Sequence, residues 1–200
     1  MTVMTGPDGQ VRCGWCAQAS EFIAYHDDEW GYPVGDDRRL FEKICLESFQ
    51  SGLSWRTILN KRENFRSGFD QFDFHKVATY SAADVERLMV DKGIVRNRRK
   101  IEAVINNAKR AIEMVEAEGS LARFFWSFEP DEATRLAPQT QTTSDESIAC
   151  SKELKKRGWA FVGPTTVFAF MQSMGLINDH LVDCVSRKKS DELRKAFKRP

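Results

Sequence analysis

The sequence predicts an all-α protein. Three observations carry that prediction. Apolar residues recur at helical spacing along most of the chain, start and stop residues bracket those runs, and no stretch sustains the alternation and turn signals of a hairpin. Strands are therefore expected to be minor. In "DDRRLFEKICLESFQ" the leading aspartates suit a helix N-terminus, and Leu40, Phe41, Ile44, Cys45 and Phe49 follow at helical spacing. "SAADVERLMVD" opens on a Ser81 cap and is expected to end at Gly93. "RKIEAVINNAKRAIEMVEAEG" places Ile101, Val104, Ile105, Ala108, Ile112 and Val115 on one face and stops at Gly119. "SLARFFWSF" reads as a short aromatic helix, and a further helix runs between Ser144 and Gly158. "PTTVFAFMQSMG" starts with Pro164 in the favoured first turn and closes at Gly175. The Thr-, Gln- and Pro-rich "EPDEATRLAPQTQTTSDE" reads as a surface connection inside one domain spanning residues 1–200.

Composition bounds the function classes. The 200 residues are 42% hydrophobic and 30% charged, ordinary for a globular chain with a real core. No apolar run approaches the roughly 18 residues of a membrane span, and "MTVMTGPDGQVRCGW" lacks a secretory pattern, so a cytoplasmic protein is expected. Five cysteines, an odd number, argue against a disulfide framework there. The net charge of +1 does not by itself point to nucleic acid. "RNRRK" (96–100), "KELKKR" (152–157) and "SRKKS" (186–190) are nevertheless basic clusters of the kind that steer polyanions, although solvated helix faces carry such clusters as readily.

Four features bear chemistry. His180 and Cys184 are four residues apart, a spacing that on a helix aims both side chains at one ion. Cys13, Cys16 and His26 offer further ligands, and Cys13, His26, His180 and Cys184 would close a tetrahedral site joining the chain ends; from spacing alone, a packed core pair is the favoured explanation of His-x3-Cys. Spacing does not choose between Cys13 and Cys16, and Cys13-Gly-Trp-Cys16 also has the form of a redox motif, without the βαβ context of one. Trp15, Phe22, Tyr25, Trp30 and Tyr32 crowd together, with Trp55 further on, a density found in cores and in pockets for flat rings. Glu47 lies about 20° from Leu40 and about 40° from Lys43 around its helix. That places it on the border of the apolar face, either as a surface glutamate paired with Lys43 or Arg39, or as a carboxylate facing a cleft. Finally, Gly158 to Gly163 has the Gly-x-x-x-Val-Gly form of a hairpin between helices whose backbone can approach a phosphate.

"RCGW", "YHDDEWG", "LFEKICLESFQSGLSW", "KRENFR", "GIVRNRRKI", "FFWSF", "LKKRGWAFVGPTT" and "FMQSMGLINDH" together resemble the 3-methyladenine DNA glycosylase I family, from about residue 12 to 185. The resemblance implies an all-α, two-lobed, helix-hairpin-helix glycosylase with one structural zinc on Cys13, His26, His180 and Cys184. It implies a monomeric enzyme that excises 3-methyladenine from alkylated double-stranded DNA, with Glu47 reading the base and Tyr25 and Trp55 forming the pocket beside Trp15 and Trp30. Phe22 stands where a pocket tyrosine is expected, a departure that a zinc-stabilised DNA-binding module without activity would also accommodate. Gly163 and Thr165 are the expected phosphate contacts, and Leu53 is a candidate wedge into the base stack. "GPTTVFAFMQSMG" holds no acidic residue, and the nearest is Asp179, so a monofunctional enzyme without a lysine Schiff base is expected.

Overall fold

The computed structural model describes residues 2–131 and 136–200. Its only strands among them are β1 (Val3–Thr5) and β2 (Val11–Cys13), paired antiparallel with Val3 opposite Cys13. A 3-10 turn, Gly14–Gln18, leads into α1 (Ser20–Asp28). The remaining helices are α2 (Asp37–Gln50), α3 (Trp55–Asn60), α4 (Arg62–Gly68), α5 (Phe74–Val77), α6 (Ala82–Val90), α7 (Arg98–Glu118), α8 (Leu121–Trp126), α9 (Asp145–Lys156), α10 (Pro164–Ser173) and α11 (Val185–Ala196). The all-α expectation holds, and among the described residues no helix is long and apolar enough to cross a membrane.

Local chemistry sets these boundaries. Asp36 caps α2 by accepting from Arg39 N at 2.8 Å, and Ser144 forms a reciprocal cap with Ser147 on α9. Ser81 and Asp84 do the same for α6, which ends at Val90 rather than reaching Gly93. There Asp91 leaves the helical region and its carboxylate takes the Gly93 N–H at 2.7 Å, closing a tight turn instead. α7 stops as expected at Gly119, whose φ of 90° a side chain would resist.

α2 is the central element. Its buried face packs against α7, α8 and α10 in a continuous core that includes Phe41, Phe49, Phe65, Phe69, Phe72, Phe125 and Phe170. A second, aromatic cluster forms where the N-terminal segment meets the C-terminal one, around Cys13, Tyr25, Trp30 and Cys184. The connection between α9 and α10 is held from three sides. Ser48 of α2 donates toward Phe161 O at 2.9 Å, Ser151 of α9 to Val162 O at 2.6 Å, and Asn107 of α7 to Ala160 O at 3.0 Å. This ties the Gly158–Gly163 hairpin rigidly to the helix that carries Glu47.

Two expectations are corrected. His180 and Cys184 do not share a helix: residues 178–184 are irregular, and Cys184 is the N-cap of α11. The 129–146 stretch, of which 132–135 lie outside the described residues, is not wholly superficial. Gln139 is buried, and Asp179 holds it through Gln139 N to Oδ1 at 2.9 Å and Gln139 Nε2 to the Asp179 carbonyl at 3.0 Å.

Candidate functional site

A cavity of about 200 Å³ opens between α1, α2, α3 and α10, lined by Trp15, Tyr25, Trp30, Glu47, Gln50, Trp55, Gln139, Ala169 and Gln172. It is smaller than the roughly 300–1,000 Å³ of sites for drug-sized ligands and suits one small planar ring system. Its walls are aromatic: Trp15 meets Trp30 edge to face at 5.2 Å, and Tyr25 meets Trp55 at 5.3 Å. Among the described residues, the buried Trp55 Nε1 and Gln139 Oε1 find no hydrogen-bond partner, and both residues face this space. Larger cavities exist, including one of about 570 Å³ beside α9, but they lack this aromatic wall.

Glu47 enters the cavity from α2 and is buried. It is paired with Lys43 at 2.8 Å, so the pairing anticipated for a surface glutamate exists, but in the interior. Lys43 Nζ also donates to Tyr25 Oη at 2.7 Å and lies 3.5 Å from the centre of the Trp55 ring. Burial and the neighbouring Glu47 carboxylate push the Tyr25 phenol well above its ordinary range, so it remains a neutral wall.

Directly behind Trp30 lies a buried cluster of Cys13, His26, His180 and Cys184, whose ligand atoms all fall within 4.8 Å of one another. Cys184 Sγ is 3.3 Å from His26 Nε2 and 3.5 Å from His180 Nδ1, and Cys13 Sγ is 3.8 Å from His180 Nδ1. These are about the edge lengths of a tetrahedron built on metal–ligand bonds of roughly 2.0–2.3 Å. Each imidazole commits its other nitrogen outward, His26 Nδ1 to Asp27 at 2.7 Å and His180 Nε2 to Trp30 O at 3.0 Å. This is how metal-binding histidines are usually oriented. A side chain at Gly31, where φ is 83°, would press on His180 Nε2 at 3.0 Å, so glycine is required there. The Cys13 thiol and the two imidazoles hold the Cys184 thiol well below its ordinary range, while Cys184 and burial push Cys13 up. A cation in their midst would replace the proton they share. The group can therefore hold a metal ion.

Of the expected site residues, Tyr25, Trp55, Trp15, Trp30 and Glu47 converge on the cavity. Phe22 does not line it: the ring is buried beside Trp15 at 5.8 Å and packs with Cys16 and Ala19. Leu53 is exposed on the turn between α2 and α3. Gly163 caps α10 and Thr165 is exposed in its first turn; Ala169 and Gln172 on the same helix line the cavity. Lys43, Gln50, Gln139 and Gln172 were not anticipated as site residues; only the four-residue step from Lys43 to Glu47 signalled any of them.

An all-α frame that presents a flat-ring cavity with a buried carboxylate defines a class of helical, ring-binding proteins. A profile of the methyladenine glycosylase family matches residues 15–188, and the chain belongs to that family. It is 50% identical over 178 residues to DNA-3-methyladenine glycosylase 1 of Escherichia coli (strain K12), covering 86% of this chain and 95% of that one. The DNA-3-methyladenine glycosylase of Haemophilus influenzae is 47% identical over 183 residues, covering 87% and 96%. A solved Staphylococcus aureus 3-methyladenine DNA glycosylase I, described for its recognition of 3-methyladenine, superimposes with a TM-score of 0.83. It is 38% identical, over 88% of this chain and 96% of that chain.

Proposed function

We propose that this protein is a monofunctional DNA glycosylase that extrudes 3-methyladenine from alkylated double-stranded DNA and hydrolyses its N-glycosyl bond, initiating base excision repair. The observation that carries the reading is Glu47, a buried carboxylate at the edge of an aromatic cavity of one-base size. Methylation at N3 makes adenine cationic and weakens its bond to the sugar, so a strong general acid is not needed. Flipping the nucleotide costs a few kcal/mol, least where pairing is already damaged. The aromatic faces of Trp15, Tyr25, Trp30 and Trp55 reward positive charge in the ring. Glu47 accepts a hydrogen bond from the exocyclic amine, and Gln139 Oε1 offers a second acceptor. As the bond breaks, its electron pair returns to the ring and neutralises it. Water adds its oxygen to C1′ through an oxocarbenium-like state, and its proton passes to solvent.

The α9–α10 hairpin serves as a helix-hairpin-helix that takes the DNA backbone. At Gly163 neither φ nor packing demands glycine, so the bare backbone at the N-terminus of α10 is open to a phosphate. From Thr165 to Ala169 is about 6 Å along the helix, a span that suits a phosphate at one end and an extruded base at the other. Cys13, His26, His180 and Cys184 suit one zinc ion, which supplies a structural clamp and no reaction chemistry. The protein is read as a monomer and one domain. Chromatography of bases released from methylated DNA tests the reading: free 3-methyladenine is expected, with no strand cleavage before alkali. Absence of any released methylated base, or a borohydride-trapped protein–DNA adduct, would sink it.

A further inference from the structure

Lys43 lies beside this cavity, in a small recess that shares Tyr25 and Trp55 with it. An ammonium there is costly, and burial holds it below its ordinary range against the opposing pull of Glu47. Its three N–H directions are nonetheless engaged by Glu47 Oε1, the Tyr25 hydroxyl and the Trp55 ring face. The other acidic groups around it are already matched. Glu29, just past the end of α1, pairs with Arg62 of α4 at 2.6 Å, and Glu42 of α2 pairs with Arg66 of α4 at 2.8 Å. Arg39 of α2 lies at the same small recess, and α3 contributes Trp55. Lys43 and Glu47 are thus each other's counter-charge, with Lys43 Nζ 2.8 Å from Glu47 Oε1.

We propose that Lys43 is a positioning residue for base recognition: it holds Glu47 by Oε1, ionised and oriented, so that the second oxygen meets the extruded base. The inference rests on the reading of the cavity given above. A buried carboxylate without a counter-charge takes up a proton, and a protonated Glu47 offers the cationic base neither charge nor a free acceptor. The ammonium also braces Trp55 and Tyr25, so one cation fixes two ring walls and the carboxylate between them.

The test is single-turnover release of 3-methyladenine from methylated DNA across about pH 4 to about pH 8, a range that starts within ordinary carboxylate ionisation while the lesion keeps its fixed positive charge. In Lys43→Met the acid limb of the profile is expected to move to higher pH, so that release is lost first at the acid end and is largely recovered near about pH 8. Lys43→Arg is expected to rescue the limb. A Lys43→Met profile that coincides with that of the unaltered protein, or that falls equally at every pH, overturns the proposal. If Lys43→Met does not fold, Lys43→Gln carries the same comparison. Should the unaltered protein release no base, the functional reading fails, and the Lys43 proposal is judged separately. For that, the carboxyl-carbon NMR signal of Glu47, assigned through Glu47→Gln, should move in Lys43→Met and return in Lys43→Arg; an unmoved signal rejects it.

Discussion

Cys184 Sγ lies 3.3 Å from His26 Nε2 across 158 residues of sequence, so the two ends of the chain meet at one buried point. Trp30 stacks on His26 and meets His180 edge-on at 4.8 Å, which makes the cluster the rear support of the cavity. Zinc bound only by the folded state at about a thousandfold over its Kd would contribute about 4 kcal/mol, or about 10 °C in Tm for a chain of this size. Elemental analysis is expected to find one zinc per chain. Chelation should lower the Tm by about that amount. Retention of zinc in a Cys13→Ser, Cys184→Ser double variant would refute the assignment.

Glu47→Gln is expected to lower 3-methyladenine release on the order of a hundredfold while leaving the fold and DNA binding intact. The amide can still give its oxygen to Lys43, but it then turns its NH2 toward the exocyclic amine of the base, donor against donor. Loss of charge and reversal of the hydrogen bond act together. Release at the unaltered rate would remove Glu47 from the site.

The helices were legible because their signals are local: caps at Asp36, Ser81 and Ser144, and glycines at 119 and 175. The angular position of Glu47 and its Lys43 partner were legible for the same reason. Their burial was not, because it depends on α1 and α3 folding over α2, which no spacing within α2 records. His180 and Cys184 are neighbours for a reason other than the helical one their spacing suggested: an irregular turn and a helix cap deliver them. Gln139 sits in a polar stretch that composition marks as surface, and only Asp179, 40 residues on, draws it inward. The motif resemblance supplied what periodicity could not, namely which distant residues share a site.

Phe22→Tyr is expected to leave base release within about threefold and to lower stability by about 1 kcal/mol, because the ring does not line the cavity and the added hydroxyl enters a buried, largely apolar cluster. Paired measurements of release and urea midpoint check this. A large gain in release would return position 22 to the pocket wall.

Acid is expected to weaken the packing of α1 on α3 and α4. Burial opposes ionisation of Glu29, but Arg62 at 2.6 Å overrides it and brings the carboxyl below its ordinary value. Arg56 at 2.7 Å, with Asn60, brings Glu21 from 4.5 to about 2. Both are lowered in the folded state, so the unfolded chain binds more protons as pH drops and stability falls with it. Their contribution is present above the ordinary carboxylate value of 4.5 and is lost as pH falls from there toward about 2. Urea midpoints measured through that window should decline less steeply in an Arg56→Gln, Arg62→Gln variant; equal slopes would deny these pairs a part.

Leu53 stands exposed at the tip of the turn that joins α2 to α3, with cavity-lining Gln50 three residues before it and Trp55 two residues after. Gly52, at a φ of 79° with open space around it, lets the turn project. An exposed leucine adds little to the core, so Leu53→Ala should leave the Tm nearly unchanged. As a wedge filling the gap left by the extruded base, it would matter only where neighbouring bases are stacked and paired. Release from duplex methylated DNA is then expected to fall about tenfold, while release from single strands, which need little unstacking, stays near the unaltered rate. Equal losses on both substrates would point to a distorted cavity rather than a wedge, and no loss on either would leave Leu53 without a part in base extrusion.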